Sequence, residues 1–365
     1  MRILFSIILA VHGLIHIMGF AKAFGFYDFK EISAEISKPL GILWFLVTLI
    51  FIITLILYIT RTQYWWALAI AGAILSQVLV ILFWKDAKFG TIANLIILAV
   101  AVVGYQSWSF EKSYLHDVIQ GIQRNQSNNI EILKNEDIQH LPLPVQNYLE
   151  YTGSVDKPKV FNFKVSFSAE MRGRDQDWFN LDTEQYNFMD DLERLFFLKA
   201  KFKGLPTQGY HLYKDGRSGM NIKLLSTIPV VNVSGEEMFQ SETVTMLNDM
   251  CFLAPPTLID ERIKWEEIDN LNAKAIFTNQ NTTVSAILYF NEEGQLINFE
   301  SLDRYDVNEM KKYKFSTPIK DYREINGYRL AHYGKAVWHY PEGDFAYGKY
   351  QLKDVEYNVL EYPEK

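Results

Sequence analysis

The chain has 365 residues, more than one hydrophobic core usually organises, with 36 Lys/Arg against 43 Asp/Glu and a formal net charge of −7, so two structural units are expected. Residues 1–108 hold seven of the basic and four of the acidic residues, which leaves 29 basic and 39 acidic residues to the remainder. That acidic remainder argues against a nucleic-acid partner, whose phosphates need cations, and a single cysteine, Cys251, excludes an intrachain disulfide and a cysteine-based zinc site.

Four uncharged runs come first: Ile3 to Ala21, Pro39 to Thr60, Thr62 to Trp84 and Phe89 to Phe110. At about 1.5 Å per residue each can cross a hydrocarbon core of roughly 30 Å. Tyr58, Trp65, Trp66, Trp84, Tyr105 and Trp108 lie near the run ends, where aromatic rings favour the membrane interface. The expected first domain, residues 1–110, is an all-α bundle of four transmembrane helices in the bacterial cytoplasmic membrane. A cleaved signal peptide is the competing reading of the first run, but no small-x-small site follows it. Lys22, Lys30, Lys38, Lys85 and Lys88 flank one side, against Arg2, Arg61, Lys112 and Arg124 on the other. This balance leans toward a cytoplasmic first loop and an extracytoplasmic second unit.

Ionisable groups are rare in hydrocarbon, so "AVHGLIHIMGF" (Ala10 to Phe20) poses a question. His12 and His16, at i and i+4, share one helix face. With Gln77 in the third run and Asn94 in the fourth they form an expected intramembrane polar cluster, because His16, Gln77 and Asn94 fall at similar depth once alternate helices reverse direction. Hydrogen bonding from His16 toward Gln77 or Asn94 is the reading preferred here. Metal or haem ligation, and proton or ligand handling, stay open; against the first, no further His, Cys, Asp or Glu lies in the other three runs. No metal and no cofactor is therefore expected. Gly13 and Gly19 read as close-packing positions.

Residues 111–155 read as a helical linker. "IQRNQSNNIEILK" (Ile122 to Lys134) suggests a solvated tether, after which Asn135, Pro142, Pro144 and Gly153 mark the starts and stop of short helices. From residue 156 to 365 the period changes to two. "FNFKVSFSAEM" sets Phe161, Phe163, Val165, Phe167, Ala169 and Met171 against Asn162, Lys164, Ser166, Ser168 and Glu170, and "RLFFLKAKFKG" sets Phe196, Leu198, Ala200 and Phe202 against Lys199, Lys201 and Lys203. These are antiparallel strands with one buried face. Asp215-Gly216, Asn326-Gly327, Glu342-Gly343 and Asn291 to Gln295 read as hairpin turns.

One helix interrupts the strands. "SGEEMFQSETVTMLNDMCFL" places Ser234 and Glu237 in capping-box spacing and Phe239, Met246, Leu247, Met250 and Leu253 on a helical stripe, with Pro255 and Pro256 as the stop. The second unit is thus expected to be mainly antiparallel β, a curved sheet or half-open barrel with one covering amphipathic helix on its concave side. The chain is 15 % aromatic, and one helix cannot cover so much apolar sheet. An apolar ligand cavity is the expectation, lined by Phe161, Phe163, Phe167, Phe196, Phe202, Phe239, Met246 and Met250. His211, Asp215, Ser218, Glu236 and Glu237 could be written into a hydrolytic scheme, but no nucleophile elbow, phosphate loop or spaced ligand set supports one.

At "HGLIHIMGF", "LPLPVQNYLEYTG" and "KAKFKGLPTQGYHLYKDGRSGMNIKLLSTIPVV" the chain resembles an uncharacterised bacterial family, a domain of unknown function in which membrane spans precede a β-rich domain. The likeness covers most of residues 135 to 360 and implies no activity. More distantly, a wide antiparallel sheet wrapped on a helix resembles the lipoprotein carriers of the Lol system, which implies a half-open barrel for acyl chains. The resulting expectation is a membrane-anchored, non-catalytic binding protein whose partners are the lipid bilayer and a lipid or lipidated protein, with no nucleic acid. A redox protein or enzyme using His12 and His16, or a scaffold for a protein partner, are the alternatives.

Overall fold

The computed structural model describes residues 2–125 and 131–363 and divides into two compact units, Met1–Glu111 and Lys112–Lys365. The first unit contains α1 (Arg2–Ala23), α2 (Lys38–Ile59), α3 (Trp65–Leu82), the single turn α4 (Trp84–Ala87) and the beginning of α5 (Gly90–Arg124). Four of these, α1, α2, α3 and α5, are long and apolar enough to cross a membrane. On α1 one stripe is buried (Phe5, Leu9, His12, Gly13, His16 and Gly19), yet the other side, with Ile7, Val11, Leu14 and Ile15, is exposed and equally apolar. Helices that are apolar all round belong in a protein core or in hydrocarbon. Gly19 lets α1 and α2 touch, since a Cβ there would lie 2.2 Å from the Trp44 ring.

The second unit opens with the last part of α5, then α6 (Asn135–Ile138) and α7 (Leu143–Tyr151). Pro142 caps α7, and Gly153 at φ +66° follows its end, as a proline start and a glycine stop require. The expectation of a solvated tether from Ile122 to Lys134 is corrected at both ends, while residues 126–130 lie outside the described residues. Tyr114, Val118, Ile122, Asn125 and Leu133 are all buried, and Ile132 forms a bridge with Pro158.

Six strands march outward: β1 (Asn162–Met171), β2 (Phe179–Phe188), β3 (Glu193–Phe202), β4 (Leu205–Lys214), β5 (Arg217–Leu224) and β6 (Ile228–Ser234). The helix α8 (Glu236–Leu253) and a 3₁₀ turn (Pro255–Ile259) follow. The rest of the chain is β7 (Ile263–Asp269), β8 (Asn272–Asn279), β9 (Thr282–Phe290), β10 (Leu296–Ser301), the small ribbon β11 (Tyr305–Asp306) and β12 (Lys311–Lys312), then β13 (Lys314–Ser316), β14 (Ile319–Ile325), β15 (Tyr328–Tyr340) and β16 (Gly343–Tyr357). They form one antiparallel sheet of fourteen strands in the order β6-β5-β4-β3-β2-β1-β16-β15-β13-β10-β9-β8-β7, with β14 on β15. The first and last strands therefore pair at the middle, and α8 joins the two edges, β6 and β7. Because α8 packs on β5 and β6 as well as on β9, β10 and β15, the sheet curls around it without closing.

Turns follow their chemistry. Lys203-Gly204, Asp215-Gly216 and Asn326-Gly327 each have two positive φ values and link strands in two-residue hairpins. At the last hairpin Tyr340 pairs with Gly343, so the loop residues are Pro341 and Glu342 rather than Glu342-Gly343. The capping box on α8 is also corrected: Ser234 ends β6, and Gly235 at φ +118° is the N-cap with no side-chain bond. Glu236 and Glu237 still favour the positive helix end. α8 covers the concave side as expected and is itself largely enclosed. Fourteen of its eighteen residues are buried, among them Glu242, Asn248 and Asp249.

Candidate functional site

Cross-strand pairs set the residues of β1–β5 and β16 in rows on the concave face. The first row runs Tyr357, Phe163, Asn187, Arg194, Tyr213 and Ser218, and the second Val355, Val165, Gln185, Phe196, His211 and Met220. Both rows carry the polar groups that meet α8. Arg194 donates from Nε to Asp249 Oδ2 at 2.6 Å and from Nη1 to Glu242 at 3.1 Å, and its Nη2 donates to Gln185 at 3.0 Å. Asp249 Oδ2 also accepts from Gln185 at 2.7 Å and Asn187 at 3.4 Å. Tyr213 meets Thr243 at 2.9 Å, and His211 Nδ1 lies 3.7 Å from Glu242. Burial pushes the Asp249 carboxyl up in spite of Arg194. Burial also opposes the charge on Glu242, but Arg194 and His211 hold its carboxyl below the usual range. One guanidinium on β3 thus bridges two buried carboxylates of α8.

Beyond these rows the face turns apolar. The third runs Leu352, Phe167, Thr183, Leu198, Gly209 and Ile222, and the fourth Tyr350, Ala169, Leu181, Ala200, Thr207 and Leu224. A last row has Gly348, Met171 and Phe179 in register, with Phe202 edge-on to Phe179 at 5.5 Å between centroids. Ala169, Leu181, Phe196 and Leu198 form a buried cluster, rimmed by half-buried Met171, Phe179, Ala200 and Tyr350. Tyr350 also joins a neighbouring aromatic group, Phe315 and Trp338 with Tyr347, over which Arg304 lies 4.1 Å from the Phe315 ring centroid. His211 Nε2 and Thr183 Oγ1 are buried in the concave face without a hydrogen-bond partner among the described residues.

The residues expected to line a cavity separate into three groups. Phe163, Phe167, Phe239, Met246 and Met250 share the large packed core around α8. Phe196 belongs to the apolar cluster of the outer rows. Phe161 and Phe202 are half-buried, with Phe161 preceding β1 and Phe202 at the far end of β3. An open groove of about 440 Å³ lies elsewhere, bounded by Val160, Met189, Pro256, Thr257, Ile259 and Arg262 among others; none of the eight lines it. Arg262 is fixed there by Asp260 and by the carbonyls of Met189 and Asp190.

The residues written into a hydrolytic scheme do not converge. Ser218 Oγ has no partner among the described residues, Asp215 sits at a hairpin tip 3.4 Å from Arg124, and Glu236 and Glu237 start α8. Among the described residues no three His, Cys, Asp or Glu stand where they could hold a metal ion.

In the helical unit a directed chain of hydrogen bonds joins α1, α3 and α5. His12 Nε2 lies 2.8 Å from Asn94 Oδ1 and 3.1 Å from Ser76 Oγ. Asn94 Nδ2 donates to Gln77 Oε1 at 3.0 Å, and Gln77 Nε2 donates to Thr91 Oγ1 at 3.1 Å. It is His12, not His16, that reaches Asn94. His16 Nδ1 instead donates to the His12 carbonyl at 2.8 Å, and its buried Nε2 has no partner among the described residues.

Sequence reasoning missed the outer face of the sheet. Tyr114 near the end of α5 stacks on Phe197 and donates to Glu184 at 3.3 Å. Asp117 accepts from Tyr210 and Lys214, and Gly121 admits the Phe188 ring. Arg124 pairs with Glu193. The missed signal is the unalternating "RLFFL": Arg194 to Leu198 is buried throughout, as strands covered on both faces are.

A family of unknown function, DUF6544, matches residues 131–350. The chain belongs to that family. The DUF6544 residues take in α6, α7, α8 and every strand from β1 to β15, so all five rows of the concave face fall largely within it. Among solved structures the chain is similar to a LolA superfamily protein from Nitrosomonas europaea, at 11 % identity, with 58 % of this chain and 93 % of that one covered and a TM-score of 0.33. No curated protein matches the chain.

Proposed function

We propose that the protein is a membrane-anchored binding protein, without catalytic activity, whose β unit holds an apolar ligand of the lipid class on the outer rows of its concave face. One observation carries this reading: the polar groups that seat α8 are confined to the first two rows, while the remaining rows continue the same curved face with Met171, Phe179, Phe202, Ile222 and Leu224 only half-buried. Apolar side chains left half open on a concave surface gain by taking acyl chains out of water, at roughly 25 cal/mol per Å². His211 Nε2 and Thr183 Oγ1, buried and unpartnered, supply polar positions for a head group next to that surface.

Anchoring rests on α1, α2, α3 and α5, whose length and composition suit a bilayer. The flanking lysines Lys22, Lys30, Lys38, Lys85 and Lys88 support a cytoplasmic α1–α2 loop in a bacterial cytoplasmic membrane, with the β unit outside it. A tether of this kind raises the local concentration of bilayer-derived ligands.

The test is photolabelling of the full-length protein in detergent with a diazirine fatty acid, followed by peptide mapping. The reading expects labelled peptides from β1–β5 and a loss of that labelling in Ile222→Asp and Phe202→Asp variants. Label confined to α1–α5 would refute it.

A further inference from the structure

The far end of the sheet carries a surface that, Phe202 apart, the ligand reading does not use. Between Leu195 and Tyr213, which take in most of β3, its turn and most of β4, there are three basic residues, Lys199, Lys201 and Lys203, and no acidic residue, in a chain whose net charge is −7; Lys223 stands near the neighbouring β5–β6 tip. Lys199 and Lys201 alternate along β3 and share its outer face, Lys203 follows in the turn, and all three are exposed. The β3–β4 and β5–β6 tips are tied into one rim: Leu225 N–H donates to the Pro206 carbonyl at 2.7 Å, and Ser226 Oγ bonds Gln208 at 2.7 Å. On that rim Ile228 is 53 % and Val230 55 % exposed, Pro206 and Pro229 are exposed, and Phe202 and Leu205 are half-buried.

We propose that this rim docks on an anionic lipid bilayer. Aliphatic side chains at the tips with lysines set behind them match the two layers of such a surface, acyl chains below and phosphates above. Nucleic acid is disfavoured by the acidity of the rest of the chain. The four helices suited to a bilayer supply the occupant's proximity. The proposal stands apart from the ligand reading, but the two meet geometrically, because Phe202 belongs both to this rim and to the last apolar row.

The experiment uses the full-length protein in proteoliposomes, with Ile228→Cys carrying a nitrobenzoxadiazole label; the native Cys251 is buried and takes no label. With phosphatidylglycerol present, the label should shift to shorter wavelength and be quenched by spin-labelled acyl chains. The same label at Glu292→Cys, on the β9–β10 turn, should show neither effect. Reversing Lys199, Lys201 and Lys203 to Glu should weaken the phosphatidylglycerol dependence on the order of a hundredfold. An Ile228 label that behaves like the Glu292 label, or that is quenched equally after charge reversal, overturns the proposal. Shielding that appears equally in lipid-free detergent also overturns it and assigns the rim to a second copy of the chain. Fatty-acid photolabelling of β1–β5 can succeed or fail without changing any of these outcomes.

Discussion

Arg194 Nε on β3 stands 2.6 Å from Asp249 Oδ2 on α8, with both side chains buried. Replacing Arg194 with Met leaves Glu242 and Asp249 buried without their cation. Breaking a buried pair from one side costs about 3–5 kcal/mol, so a large fall in the unfolding midpoint of the β unit is expected in urea titrations of the detergent-solubilised protein. Adding Asp249→Asn to that variant should recover part of the loss. An unchanged midpoint in Arg194→Met would show that the network does not hold α8.

Glu193 gives the opposite pH sign to an ordinary paired carboxylate. Burial pushes its carboxyl from 4.5 up to about 7, against the pull of Lys214 and Arg124. A raised folded value favours the protonated form, so the contribution is full below about pH 4.5 and lost as pH rises through about 7. Over that window the wild type should lose up to about 1.4 kcal/mol per pH unit from this group, and Glu193→Gln should flatten the profile. Parallel profiles of melting temperature against pH for the two proteins would contradict this.

His12 and His16 should differ when mutated. His12→Ala removes the head of the chain through Asn94 and Gln77, whereas His16→Phe removes one bond to a carbonyl of its own helix. Hydrogen bonds of this kind in membranes average about 0.6 kcal/mol, so a small but larger drop in thermal stability is expected for His12→Ala, measured in detergent. Equal drops would place the stabilising contact elsewhere.

Gly19→Ala should loosen the α1–α2 contact, because the new Cβ meets the Trp44 ring at 2.2 Å. Overpacking of this kind costs about 1–3 kcal/mol. Trp44→Leu in the same chain should restore part of the loss; no restoration would mean that the strain is not relieved at that contact.

Sidedness can be read from Glu292→Cys, an exposed turn position. An impermeant maleimide should label it in intact spheroplasts. Labelling seen only after permeabilisation would put the β unit in the cytoplasm.

Helical spans and β alternation were legible because hydropathy repeats locally, over windows of a few to twenty residues. Phe163, Phe167, Phe196 and Phe202 could be set on one sheet face from period two alone. Glu242 and Asp249 could not be understood that way. Their seven-residue spacing places them on one side of α8, but the reason for burying them is Arg194, about fifty residues away on another element. The cover on the outer face had a local trace in the run Leu195 to Leu198 and in the spacing of Tyr114, Val118 and Ile122, all buried. Which histidine meets Asn94 depended on helix rotation, which depth along the helix does not determine.

The pairing of Phe163 with Tyr357 means that the middle of the sheet is stitched by β1 and β16, strands separated by all the others in chain order. While the chain is being synthesised, β1–β6 are complete early but have a bare edge at β1, and that edge stays bare until β16 has emerged. A ribosome that stops before Gly343 therefore releases two open half-sheets whose central edges can pair with any other strand, including those of a sister chain. The β1 edge is thus covered only by the strand Gly343–Tyr357.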